Sequence, residues 1–119
     1  MEIMKRDMDL CRTILFEVEK FPFRTDWINL KIDGYSKDEI AYHVMILNQA
    51  GLIDARNLDT LTDWRPINLT WEGHEFLDAA RDNKRWEKAK SAMSQLGGFV
   101  FDVGKQLLVQ YLRQELNLT

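Results

Sequence analysis

Apolar residues Met4, Met8, Cys11, Ile14, Leu15 and Val18 recur at helical spacing and predict an amphipathic first helix over 4–20, which Pro22 ends. The period then changes. In "WINLKID", Ile28, Leu30 and Ile32 alternate with Asn29, Lys31 and Asp33, the pattern of a short half-buried strand. Ser36 and Glu39 next form an S-x-x-E capping box, in which each side chain bonds a free backbone N–H at a helix start. A second helix is predicted over 37–50, with Ile40, Val44 and Leu47 on its buried stripe and Gly51 as the left-handed residue that stops it.

"LIDAR" and "PINLTW" read as two strands joined by "NLDTLTDWR", with Pro66 suited to a strand entry or an edge. Thr70 is expected to cap a third helix, and Glu72 and Glu75 in its first turns favour the helix dipole. That helix runs through "GHEFLDAARDNKRWEKAKSAMSQL" with a break near Asp82-Asn83. Gly97-Gly98 punctuates it before a last helix over 99–116. No internal repeat or low-complexity tract interrupts this order.

A helix followed closely by a hairpin, with the preceding helix packed behind it, is the layout of a winged helix-turn-helix. The fold class expected is mainly α with a small β-hairpin or three-stranded sheet and a C-terminal helical extension. Residues 1–96 would form the winged-helix domain, whose middle helix would have to fit within "GYSKDE" and is therefore either fused to the next helix or reduced to a turn. Residues 97–119 would pack on the first helix and serve as a dimer interface.

At 119 residues the chain has the size of one domain able to bury a core without metal or disulfide. Its 45% hydrophobic and 29% charged residues are ordinary for a globular protein. The lone cysteine, Cys11, sits on the buried stripe of the first helix and reads as an inert core thiol, fitting a reducing compartment. The N-terminus mixes charge with apolar residues, unlike a signal peptide, and the most apolar run, "FVFDVGKQLLVQYL", is too short to span a bilayer. A cytoplasmic location without membrane contact is expected.

Charge bears directly on the use of the second helix. Net charge is −3, so no global positive field draws the chain to nucleic acid. Across 28–70, four basic residues (Lys31, Lys37, Arg56, Arg65) stand against six acidic ones, the wrong sign for a groove-facing surface. The candidate nucleic-acid contacts are Lys37, Tyr42, His43, Gln49, Arg56 and Arg65, residue types that reach phosphates or base edges. Positive charge concentrates instead in "RDNKRWEKAK". There Arg81, Lys84, Arg85 and Lys88 fall at offsets of three and four and make a stripe for phosphate or an acidic partner, or simply a solvated face.

Aromatic and apolar residues suggest protein contacts. Trp64, at the wing tip, is either a partner-binding anchor or a ring folded back on the wing, whereas Trp71 is expected in the core. The last helix is apolar on more than one face. Phe99, Val103, Leu107, Leu108, Tyr111 and Leu112 are therefore candidates for a homodimer interface.

Signals for chemistry are weak. His43 and His74 have carboxylates nearby, but no H-E-x-x-H or paired C-x-x-C spacing is present, and no Gly-rich phosphate loop follows a strand. His74 is expected to pack at the helix start near Trp71, and His43 to be a surface or interface residue. No catalytic residue, metal or cofactor is expected.

Three blocks, "MKRDMDLCRTILFEVE", "GYSKDEIAYHVMILNQAGLI" and "LTWEGHEFLDAARDNKRW", together resemble a family found in bacteria, phages and prophages, domain of unknown function 2513. The resemblance covers roughly residues 3 to 90. It implies a small winged-helix-like protein of mobile-element origin and carries over no catalytic or DNA-contacting residue. Two uses follow as expectations. One is a non-enzymatic DNA-binding regulator. The other is a protein-binding module that modulates a host or anti-phage defence factor.

Overall fold

The computed structural model describes residues 4–23, 26–58 and 62–117. Five helices and one hairpin follow in order: α1 (Met8–Glu19), α2 (Lys37–Gln49), β1 (Ile53–Asn57), β2 (Trp64–Leu69), α3 (Trp71–Ala80), α4 (Asn83–Ser94) and α5 (Phe101–Glu115). The chain divides into two compact units, residues 1–74 and 75–119. Among the described residues, no helix is long and apolar enough to cross a membrane.

In residues 1–74, α1 begins at Met8 rather than Met4 because Asp7 caps it, its Oδ1 accepting from the Leu10 N–H at 3.1 Å. Leu10, Cys11, Ile14, Leu15 and Val18 turn inward against α2 and β2. Burial pushes the Cys11 thiol up to about 12, so it stays protonated and unreactive at neutral pH. The Ser36–Glu39 capping box forms as the spacing predicts, and Gly51 takes φ +79° to end α2. Ile40, Val44 and Leu47 are buried, as expected for a helix packed on both strands.

β1 and β2 pair antiparallel, from Ile53↔Leu69 to Asn57↔Trp64, with a register shift that leaves Ile67 opposite no residue. Pro66 borders that bulge, where its missing N–H costs no ladder bond. The expected strand through Ile28–Ile32 does not form, so the sheet has two strands. Ile28 donates one hydrogen bond to the Pro66 carbonyl and is buried, while Asn29, Lys31 and Asp33 are exposed. The alternation thus reports burial of one face, without the ladder that defines a strand. No helix occurs among the described residues between α1 and α2, where the chain makes a turn at Asp33-Gly34.

Thr70 caps α3, accepting from the Gly73 N–H while its hydroxyl donates to the Gly51 carbonyl at 2.5 Å. Gly73 faces the Leu52 carbonyl so closely that any Cβ there would collide with it. The break near Asp82-Asn83 is real, and Asp82 caps α4 through the Arg85 N–H at 2.8 Å. In residues 75–119, Trp86 is 1% exposed, edge-on to Phe76 and tilted against Phe99. Phe101 stacks on Phe76 at 5.0 Å, and α5 packs on α4 with Leu108 buried. Gly104 lets the Phe99 ring lie against α5, where an added Cβ would displace it.

Candidate interaction surface

α2 carries two apolar stripes. The first, Ile40, Val44 and Leu47, is spent on the core. The second runs through Ala41, Tyr42 and Met45 with Asp38 at its start, positions three and four apart that share a face. This second stripe, with Met4, Thr62 and Trp64, lines a pocket of about 250 Å³ between α2 and the hairpin. Trp64 therefore folds over the pocket wall, half-buried, instead of projecting from the hairpin. Residues 59–61, at the centre of the connection between the strands, lie outside the described residues.

Of the cations expected around α2, Arg65 is the one held by a neighbour. Arg65 grips Asp63 with two bonds, Nε to Oδ1 at 2.9 Å and Nη2 to Oδ2 at 3.2 Å, and its guanidinium lies 4.2 Å from the Trp27 ring. Arg65 holds the Asp63 carboxyl below the ordinary carboxylate value, with a smaller pull from Lys37. Arg56 pairs opposite Arg65 in the ladder, where like charges repel, and stays exposed. Lys37 and Gln49 are exposed near opposite ends of α2.

His43 departs most from expectation. It is 2% exposed, not at the surface. Its Nε2 accepts from the Asp7 N–H at 2.8 Å, so the ring proton sits on Nδ1 and donates to the Glu39 carbonyl at 2.7 Å. Tyr35 donates to the other Asp7 oxygen at 3.4 Å. His43 is thus a bridge between the start of α1 and the first turns of α2, and is withdrawn from any groove-facing role.

The basic stripe on α4 also divides. Arg81 pairs with Asp78 at 2.8 Å, and the Lys88 ammonium sits 4.1 Å from the Tyr111 ring centroid. Lys84 is exposed. Arg85 is 6% exposed and structural. Its Nη1 bonds Glu115 at 2.6 Å, its Nε the Ala79 carbonyl at 2.7 Å, and its Nη2 the Asp78 carbonyl at 3.4 Å. Of the α5 candidates, Leu108 is consumed by the core of 75–119. Phe99, Leu107, Tyr111 and Leu112 are half-buried, and Val103 is exposed.

Trp71, expected in the core, is 77% exposed at the first turn of α3, and His74 is exposed one turn on. Gly73 between them takes the inward position, which explains the reversal: the close approach to Leu52 excludes a large side chain there. Ala41 and Met45 were missed from sequence, although their spacing of three from Asp38 and Tyr42 is the signal that could have found them, whereas Met4 and Thr62 join the pocket only through the fold.

A family model described as "Hypothetical protein (DUF2513)" matches residues 5–99. The chain belongs to this family. An uncharacterized protein of Haemophilus influenzae strain Rd is 34% identical over 93 residues, which is 76% of this chain and 79% of the relative. No solved structure matches the chain. The family match takes in α1 to α4, including every pocket residue but Met4, and stops short of α5.

Proposed function

We propose that residues 1–74 are a winged-helix scaffold used as a protein-binding module, with the pocket on α2 receiving an apolar side chain of its partner. The single observation behind this reading is the composition of that pocket. Where a DNA reader presents cations and amides, α2 presents Ala41, Tyr42 and Met45 beside Trp64 and Met4, with Asp38 at the rim. Large, partly buried aromatics around a preformed cavity are the usual seat of an interface anchor. Phosphate oxygens gain nothing from such a surface and are repelled by Asp38.

The second reading, a phage- or prophage-type DNA-binding regulator, is favoured by Lys37, Gln49 and Arg56, which stay exposed on α2 and the hairpin. Two experiments separate the readings. Peptides selected from a random display library on the full chain should share an apolar anchor and lose binding to the Met45→Glu variant. Retention of particular genomic fragments, weakening steeply with salt and depending on Lys37 and Arg56, would instead establish the regulator. Homodimerisation through α5 remains a proposal resting on its exposed Val103 and half-buried Leu107, Tyr111 and Leu112. Light scattering at micromolar concentration decides it.

A further inference from the structure

Among the described residues, Met4 is the wall of the α2 pocket that comes from neither α2 nor the hairpin. It lies three residues before Asp7, on a stretch with no helix or strand of its own, where Lys5 and Arg6 are exposed. Residues 4–7 therefore reach the pocket as a strap hung from the start of α1. Asp7 fastens that strap. Its N–H donates to His43 Nε2 at 2.8 Å, and its carboxylate accepts from the Leu10 N–H at 3.1 Å and from the Tyr35 hydroxyl at 3.4 Å. Of these bonds, the first is the one made to α2. The His43 ring also meets the ring of Tyr42, a pocket residue, edge-on at 5.4 Å. The side chain that fastens the strap thus stands next to the pocket it helps to wall.

The fastening depends on one protonation state. Neutral imidazole accepts at Nε2 only while its proton is on Nδ1, where the Glu39 carbonyl takes it at 2.7 Å. A second proton makes Nε2 a donor facing the Asp7 N–H, and the bond becomes a repulsion. The new charge would also be 2% exposed, and burying it without a partner is costly. The Glu39 carbonyl belongs to α2 itself, so relief comes by moving the strap. The charges around the bridge leave the same outcome. On the approach to α1 these are Arg6 and the Asp7 and Asp9 carboxylates, with the Tyr35 hydroxyl on the loop before α2. Asp7 already caps α1 and accepts from Tyr35, so an imidazolium that captured its carboxylate would undo the cap and free the same segment. On α2, the Glu39 carboxylate is held by the Ser36 N–H, and Lys37 and Asp38 are exposed. On the hairpin, Asp54 and Arg56 are exposed and Arg65 pairs with Asp63.

We infer that His43 is a pH switch on the α2 pocket: neutral, it holds residues 4–7 against α2 with Met4 as a wall, and protonated, it releases them. The released form binds the extra proton, so it gains on the fastened form as pH falls. This regulation rests on reading the α2 pocket as a binding site, but its test uses no partner, so the two fail separately. The full chain, labelled with carbon-13 in its methionine methyl groups, is followed by NMR from about pH 8 to about pH 5, the interval in which histidine side chains ordinarily change charge. The Met4 signal, identified by its loss in Met4→Leu, is expected to leave the position set by the Tyr42 and Trp64 rings of the pocket as pH falls. Its midpoint should equal that of the His43 ring signals. Met93, buried in residues 75–119, should stay in place, and circular dichroism should show the helices intact. His43→Gln brings an acceptor that takes no proton to the place of Nε2, and should hold Met4 in its neutral-pH position throughout. A Met4 signal that does not move, or that moves with a midpoint other than that of His43, overturns the inference. So does the same movement in His43→Gln, which would assign it to the carboxylates of Asp7, Asp9 or Glu39. Movement only together with loss of helix overturns it as well, since that is acid unfolding. Should His43→Gln fail to fold, the comparison of midpoints in the unaltered chain still decides.

Discussion

Among the described residues, residues 1–74 and residues 75–119 each bury one large polar side chain, and they satisfy it in different ways. In the first unit His43 is neutral, and both of its ring nitrogens bond main-chain groups, the Asp7 N–H and the Glu39 carbonyl. In the second unit Arg85 is charged, and it spreads its donors over the Ala79 and Asp78 carbonyls and the carboxylate of Glu115. Main-chain partners cannot be removed by substitution, so the imidazole has no apolar replacement that leaves its surroundings satisfied. A guanidinium and a carboxylate can be removed together, which is why a buried ion pair is often replaceable by apolar residues. The first arrangement fixes where two helices meet; the second holds α5 to the end of α3.

The largest effect tests whether the second unit depends on its aromatic centre more than on its ion pair. Trp86→Ala removes a ring in contact with Phe76 and Phe99 and should cost about 3–5 kcal/mol in denaturant unfolding. A loss below that of the ion-pair variants would reverse the ranking. Next, His43→Leu should cost roughly 1–3 kcal/mol because it orphans a buried N–H and a carbonyl. No second substitution at Tyr35 or Glu39 should restore it.

Glu115→Leu should cost about 1–3 kcal/mol by leaving Arg85 buried without its carboxylate. Adding Arg85→Met should recover most of that loss, and a double variant no more stable than Glu115→Leu alone would break the contrast between the two units. A smaller effect concerns Glu39, whose carboxyl is held below its ordinary value of 4.5 first by the Ser36 N–H and then by its side chain. A depressed carboxylate contributes above its unfolded value and loses that contribution as pH falls through the folded one. The stability difference between the chain and Glu39→Gln should therefore be present at neutral pH and fade below pH 4.5. The smallest effect on stability is expected at Met45→Glu, half-exposed on the pocket wall, within about 0.5 kcal/mol. Its consequence should appear in partner binding instead.

Much of the fold was legible because the signals are local. The capping box at Ser36, the stop at Gly51, the Thr70 cap and the break before Asn83 each depend on residues three or four apart. The candidate site was less legible. His43 and Arg85 look like surface contacts because their residue types usually are, and the groups that bury them lie thirty-six and thirty residues away. Trp71 reads as core by the same statistic and is exposed because Gly73 takes the close position against Leu52. Tyr42 and Met45 are three apart on α2 and so neighbours by helical geometry, a stripe the sequence reading did not single out, and Trp64 reaches them only through the hairpin register.

The amino-acid order alone determined the helices, their ends, the hairpin and the balance of charge, since each is set by short-range hydrogen bonding, hydrophobic period or simple count. Tertiary packing decided which side chains face water. It turned a histidine and an arginine inward, turned a tryptophan outward, and joined a second apolar stripe of α2 to a hairpin residue around a cavity. The physical reason is that burial depends on which distant surface covers a residue, and no local pattern contains that surface.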